Sequence, residues 1–288
     1  MGSGCLALTK RSLESPIVEP MRFALINSGL GLLTTASELH RMRPDADLVI
    51  AMDPDGMPWG PRTPQDIAER SLAVAHAAAR YDPDVIVMAC NTGSVHALDV
   101  LRAEFEPDIP IVGTVPAIKP AAAAARSVAI WATVATTASD YQSRLIAEFG
   151  AGAEVTPVAC PGLATAIDAG DEEAMTVAIA DAASRTPQDC RALVLGCTEY
   201  ELAADRIGAA VPGALLFGTA SAVAAQTLRR AALAGRDLSV EPGAEPGKLT
   251  VLLSCRPGPL PLAALQYRQG RELARLAANP DPAPDLTV

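Results

Sequence analysis

From residue 22 onward, short aliphatic runs alternate with amphipathic stretches, and that alternation leaves few folds open. RFALIN (22–27), DVIVMAC (84–90), IPIVGTV (109–115), SVAIWAT (127–133), AEVTPVA (153–159), RALVLG (191–196) and ALLFG (214–218) read as buried strands. Between them, LGLLTTASELHRM (30–42), SVHALDVLRAEF (94–105), SDYQSRLIAEFG (139–150), YELAADRIGAA (200–210) and SAVAAQTLRRAALAG (221–235) carry the helical period. Thr63 and Pro64 mark the start of another helix, as N-cap and first helical residue. Such βα alternation is the pattern of helices layered on a mostly parallel sheet.

A chain of 288 residues has room for two modest α/β units. Half of its residues are apolar but only 3% are aromatic, so the cores are built from small aliphatic contacts. After residue 236, Pro and Gly become frequent, with one strand-like run, KLTVLLS (248–254). We expect residues 1–21 to form a disordered leader and 269–288 a partly disordered C-terminal tail.

A net charge of −10 without any Lys/Arg cluster argues against nucleic acid or an anionic membrane as partner. No apolar run reaches membrane-spanning length and no signal-type stretch opens the chain, which reads as cytoplasmic. Lys10, Lys119 and Lys248 are the only lysines, leaving few candidates for a Schiff base. The six cysteines are scattered, with no close CxxC pair, so neither a disulfide framework nor a zinc site is expected.

Two of these cysteines stand in equivalent places. DVIVMACNTGS (84–94) and RALVLGCTEYE (191–201) each run from an aliphatic strand through one small residue to a thiol and then to polar groups. Cys90 and Cys197 would therefore sit at the carboxyl ends of strands, where open α/β sheets bind ligands. A following helix N-terminus favours the thiolate there, drawing a thiol pKa of about 8.5 toward neutrality. Asn91, Thr92, Gly93, Ser94 and Thr198 add amide, hydroxyl and backbone donors able to hold a carboxylate. Cys160 and Cys190 read as core or edge thiols, His76 as a helical spacer, and His96, one and a half turns past Cys90, as a secondary candidate to reach the cleft.

Six segments in order resemble the aspartate/glutamate racemase superfamily, and within it the glutamate racemases. INSGLGLLT (26–34) is similar to its Asp-Ser-Gly-x-Gly-Gly-Leu-Thr, PWGPRT (58–63) to Pro-Tyr-Gly-x-Arg-Ser, and ACNTGS (89–94) to Ala-Cys-Asn-Thr-Ala-Ser. ATVATTASDY (132–141), CPGLATAIDAG (160–170) and LGCTEYEL (195–202) continue the match over about residues 22–268. The resemblance implies two similar Rossmann-like lobes, 22–117 with 218–268 and 118–217, around an active-site cleft. It also implies a racemase of an acidic amino acid that needs no cofactor, with Cys90 and Cys197 exchanging protons with opposite faces of the α-carbon. The partner is then a small-molecule amino acid, and homodimers are common in the family.

By the same resemblance, Ser28, Asn91, Thr92, Thr133, Thr136 and Thr198 bind the amino and carboxylate groups. Pro58, Trp59 and Gly60 border the pocket, and Asp168 falls near a family glutamate. Two positions depart from the pattern: Asn27 replaces an Asp that assists the first cysteine, and Glu199 replaces a His that assists the second. Asn can orient a thiol but not take its proton; Glu can take one, yet when ionised raises the pKa of a neighbouring thiol. Aspartate-racemase-like members of the superfamily also carry Cys-Thr-Glu at that place, so Glu199 is consistent with racemase chemistry. Two other readings stay open: a decarboxylase or isomerase of a related acid, as in other superfamily members, and a catalytically silent ligand-binding homologue, which Asn27 and Glu199 motivate.

Overall fold

The computed structural model describes residues 20–150, 152–240 and 243–276. Among them are ten strands: β1 Arg22–Asn27, β2 Asp47–Met52, β3 Val85–Met88, β4 Ile111–Gly113, β5 Ser127–Ala132, β6 Glu154–Ala159, β7 Ala192–Leu195, β8 Leu215–Phe217, β9 Leu249–Leu253 and β10 Arg256–Pro257. They form two sheets. One has the order β10-β9-β2-β1-β3-β4 and the other β6-β5-β7-β8. Every pairing is parallel except β10 with β9. β2 is not among the strands expected from the aliphatic runs, although DLVIAM is buried throughout and has the aliphatic content of a central parallel strand.

Alternation along the strands assigns each residue to a face. Phe23 and Leu25 of β1, Leu48 and Ile50 of β2, Ala129 and Trp131 of β5, and Leu193 and Leu195 of β7 all enter one continuous core. The intervening Ala24, Ile26, Val49 and Ala51 pack in a second cluster on the outer face of the first sheet. Val128, Ile130, Ala192 and Val194 pack in a third, on the outer face of the second sheet. The shared core also takes Leu32, Leu33, Ala36 and Leu39 from helix Leu32–Met42, together with Leu163, Ile167, Val223 and Ala224. The lobes are therefore joined by apolar packing as well as by the chain.

Local signals explain most helix boundaries. Thr63 caps helix Pro64–Ala79, its hydroxyl accepting from Asp66 N at 3.2 Å. The stretch expected as one helix over 94–105 is instead two, Asn91–His96 and Leu98–Phe105, broken at Ala97. YELAADRIGAA begins as a 3-10 turn, Thr198–Ala203, before helix Ala204–Ala210. The segment beyond 268 starts with helix Arg268–Ala274, whose Leu273 is buried; the expected leader before residue 20 and the tail after 276 lie outside the described residues. Among the described residues, no helix is long and apolar enough to cross a membrane.

Candidate active site

Both sheets reverse their strand order at one point, β1/β3 in the first and β5/β7 in the second. Crossovers diverge there, which opens a crevice beyond the carboxyl ends of the strands. Ser28 follows β1, Cys90 lies two residues beyond β3, Thr133 follows β5 and Cys197 lies two residues beyond β7. These four line one cavity of about 350 Å³ between the lobes.

On the first lobe, Cys90 is the N-cap of helix Asn91–His96, and its sulfur accepts from Gly93 N at 3.4 Å. Asn91 is 5% exposed and spans the cleft: Nδ2 donates to Gly196 O at 2.7 Å, and Oδ1 accepts from the Thr114 hydroxyl at 2.7 Å. Trp59 donates its indole N–H to Asp53 at 3.0 Å, and Arg70 reaches the same carboxylate oxygen at 3.1 Å. That anchors the Pro58-Trp59-Gly60 wall.

On the second lobe, Cys197 Sγ donates to Glu199 Oε2 at 2.8 Å. The Thr133 hydroxyl accepts from Thr136 N at 3.2 Å and so caps the short helix Val134–Thr137. Asp168 Oδ1 accepts from Leu30 N of the opposite lobe at 2.7 Å. The Ser28–Gly31 loop is squeezed between these groups. A Cβ on Gly29 would lie 2.4 Å from Asp168 Oδ1, and one on Gly31 would lie 2.3 Å from Thr198 Oγ1. Glycine is needed at both positions for close approach.

The thiols differ from expectation. Burial, and after it the charge of Glu199, pushes the Cys90 thiol up to about 12, against backbone N–H groups that pull it down. Burial also drives Cys197 well above the ordinary thiol range, followed by the Glu199 charge and hydrogen bond and then by Cys90. The magnitudes explain why the helix terminus loses. Its field is worth about 0.3–1 kcal/mol, under one pKa unit at about 1.36 kcal/mol per unit, whereas burial can move a group by about 3–5 units. Burial, then Glu199, likewise holds the Asp168 carboxyl well above the usual carboxylate range. Both thiols therefore rest protonated in the free cavity.

Ser28, Pro58, Trp59, Gly60, Cys90, Asn91, Thr92, Thr133, Thr136, Asp168, Cys197 and Glu199 all line the cavity. Asn27 and Thr198 stand behind its wall, 0% and 1% exposed. Asn27 Nδ2 donates to Ala89 O, just before Cys90, at 2.8 Å, to Thr198 Oγ1 at 3.3 Å and to Glu199 Oε1 at 3.4 Å. Cys160, expected from sequence as a core or edge thiol, also lines the cavity, with Pro161, Gly162 and Thr165. Its place in a Cys-Pro segment at the end of β6 was the available signal. His96 is exposed and does not line the cavity, and exposed His76 pairs with Glu104 at 3.2 Å. Among the described residues no Lys, Arg or His lines the cavity, so a bound carboxylate would be held by hydroxyls and amides.

Fold and site together define a two-lobed α/β protein with two thiols in an interlobe cleft. Residues 26–227 match the Asp/Glu/Hydantoin racemase family. The chain is 36% identical over 242 residues to the glutamate racemase of Herpetosiphon aurantiacus, covering 81% of this chain and 92% of that protein. It is 34% identical over 219 residues to that of Pseudomonas entomophila, covering 74% and 82%. Among solved structures, Escherichia coli glutamate racemase in complex with L-glutamate and an activator superposes with a TM-score of 0.70 at 25% identity, covering 88% and 92% of the two chains. The protein belongs to the Asp/Glu/Hydantoin racemase family.

Proposed function

We propose that this enzyme racemises an acidic α-amino acid, glutamate, aspartate or a relative, with Cys90 and Cys197 as its two proton-handling groups and no cofactor. The observation that carries this reading is the pair of thiols lining one cavity from opposite lobes. Inverting a stereocentre requires removal of the α-proton on one face and delivery of another on the opposite face, with both groups positioned at once. The curated glutamate racemases among its relatives support the acidic substrate.

In the proposed cycle Ser28, Asn91, Thr92, Thr133 and Thr136 hold the substrate's amino and carboxylate groups at the strand ends. Entry of the ammonium group brings positive charge beside both thiols and favours their ionised forms. Glu199 takes the Cys197 proton across the 2.8 Å hydrogen bond. The resulting thiolate removes the α-proton, and the Cys90 thiol donates its own to the other face of the carbanion. The cycle ends with Cys197 protonated and Cys90 ionised, ready for the opposite enantiomer, and proton exchange with water resets it. The lobes are bounded at 22–117 with 218–268 and at 118–217 in this reading, and the protein acts in the cytoplasm.

The test is incubation with single enantiomers of an amino-acid panel in D₂O, followed by chiral chromatography and mass spectrometry. Wild type is expected to label the α-position of an acidic amino acid while inverting it. Cys90→Ser and Cys197→Ser should each lower racemisation by roughly 10²–10⁴-fold, since serine lacks an accessible anion. Full two-way turnover in either variant would overturn the two-thiol assignment. Labelling of no amino acid would favour a silent binder, and loss of CO₂ a decarboxylase.

A further inference from the structure

The two positions at which this chain departs from the family pattern touch each other. Asn27 ends β1 in the first lobe and Glu199 lies in the turn after β7 in the second, 172 residues apart, yet Nδ2 of one donates to Oε1 of the other at 3.4 Å. Thr198 Oγ1 stands beside both, 3.3 Å from Asn27 Nδ2 and 3.3 Å from Glu199 Oε2. A Cβ placed on Gly31 would meet these same three groups at 2.3, 2.7 and 2.7 Å, so they converge over one point of the backbone. All of them are buried, so their contacts are little screened by water.

We propose that Asn27 is a positioning residue for Glu199, and that the two form one matched unit across the cleft. The Asn27 amide fixes Oε1, which leaves Oε2 aimed at the Cys197 sulfur. The contact with Ala89 O at 2.8 Å and the acceptance of Ser28 N by Oδ1 at 2.6 Å lock the amide's orientation, so its remaining N–H donates toward Glu199 Oε1 and the neighbouring Thr198 Oγ1. An uncharged donor at position 27 is the counterpart of a carboxylate at position 199. With an aspartate there, two carboxylate oxygens would face each other at about the present 3.4 Å, and such a pair shares a proton rather than ionising fully. The charge lost from the first wall and the charge gained on the second are therefore one exchange.

This inference rests on the reading above in which Glu199 accepts the Cys197 proton. The test compares wild type, Asn27→Asp, Asn27→Ser, Glu199→His and the Asn27→Asp/Glu199→His double variant. Two readouts are used: kcat and KM for α-deuterium labelling, and the pH profile of Cys197 alkylation by iodoacetamide, followed by peptide mass spectrometry. The titrating groups around Glu199 are Cys197 and Tyr200 in its own turn, Cys90 beyond β3 and Asp168 on helix Leu163–Ala169.

Asn27→Asp is expected to lower kcat by roughly 10²-fold or more, the scale of a lost positioned base, with KM within about threefold. Asn27→Ser, which removes the amide without adding charge, should cost only about tenfold. The double variant should retain at least tenfold more activity than the product of the two single effects. Its alkylation profile should return from the alkaline shift of Asn27→Asp toward wild type. Equal losses in Asn27→Asp and Asn27→Ser, or independent single effects, would overturn the proposal by reducing Asn27 to a structural role. If wild type labels no amino acid, the racemase reading fails, and the alkylation profiles alone decide. An unshifted profile in folded Asn27→Asp, checked by its thermal midpoint, then overturns the pairing.

Discussion

Cys90 shows what a single side chain owes to its surroundings. At the N-cap of a helix it has the address of an activated thiolate, yet burial and Glu199 leave it with a pKa pushed up to about 12. At pH 8 such a thiol is ionised to about one part in ten thousand, against about a quarter for an ordinary one. Alkylation of Cys90 in the free protein is therefore expected to rise about tenfold per pH unit from 8 to 11. A plateau below pH 9 would show that the helix terminus dominates after all. Peptide mapping separates this signal from exposed Cys255.

At the scale of elements, the turn after β1 decides how closely the lobes approach. Gly31→Ala places a methyl group 2.3 Å from Thr198 Oγ1 and 2.7 Å from both Asn27 Nδ2 and Glu199 Oε1, so these three side chains must shift out of their hydrogen bonds. We expect a loss of roughly 1–3 kcal/mol, as for overpacked cores, together with a fall in turnover. Gly208→Ala is the contrast, since its Cβ would meet only Leu216 Cδ1, at 3.5 Å, inside helix Ala204–Ala210. That change should stabilise by up to about 1 kcal/mol. Urea titration of both variants checks the difference in sign. Helix positions and caps such as Thr63 were legible in the sequence because they depend on neighbours within a turn. The break at Ala97 and the 3-10 start at Thr198 were not, because tertiary contacts at the strand ends override the local helical period.

At the scale of the molecule, one apolar core draws on the inner faces of both sheets, so the lobes should unfold together. The two tryptophans report on this separately, Trp59 beside the first sheet and Trp131 on β5 of the second. Single-tryptophan variants made by Trp59→Phe and Trp131→Phe should give urea transitions with each tryptophan signal matching the loss of far-ultraviolet circular dichroism in the same variant. A fluorescence midpoint displaced from the circular-dichroism midpoint would mean that the lobes unfold independently.

From the amino-acid sequence came the α/β alternation, most of the strands but not β2, and the two strand-end thiols, while the family resemblance supplied most of the polar residues that line the cavity. Those features follow from alternation, helical period and short motifs, all of which act over a few residues. Only the packing of the two lobes brought Asn27 to Glu199 and put Thr198 behind the wall. It also set the protonation of the thiols. The physical reason is that desolvation and contact between residues 172 positions apart are created only when the lobes close on each other, and no local pattern carries them.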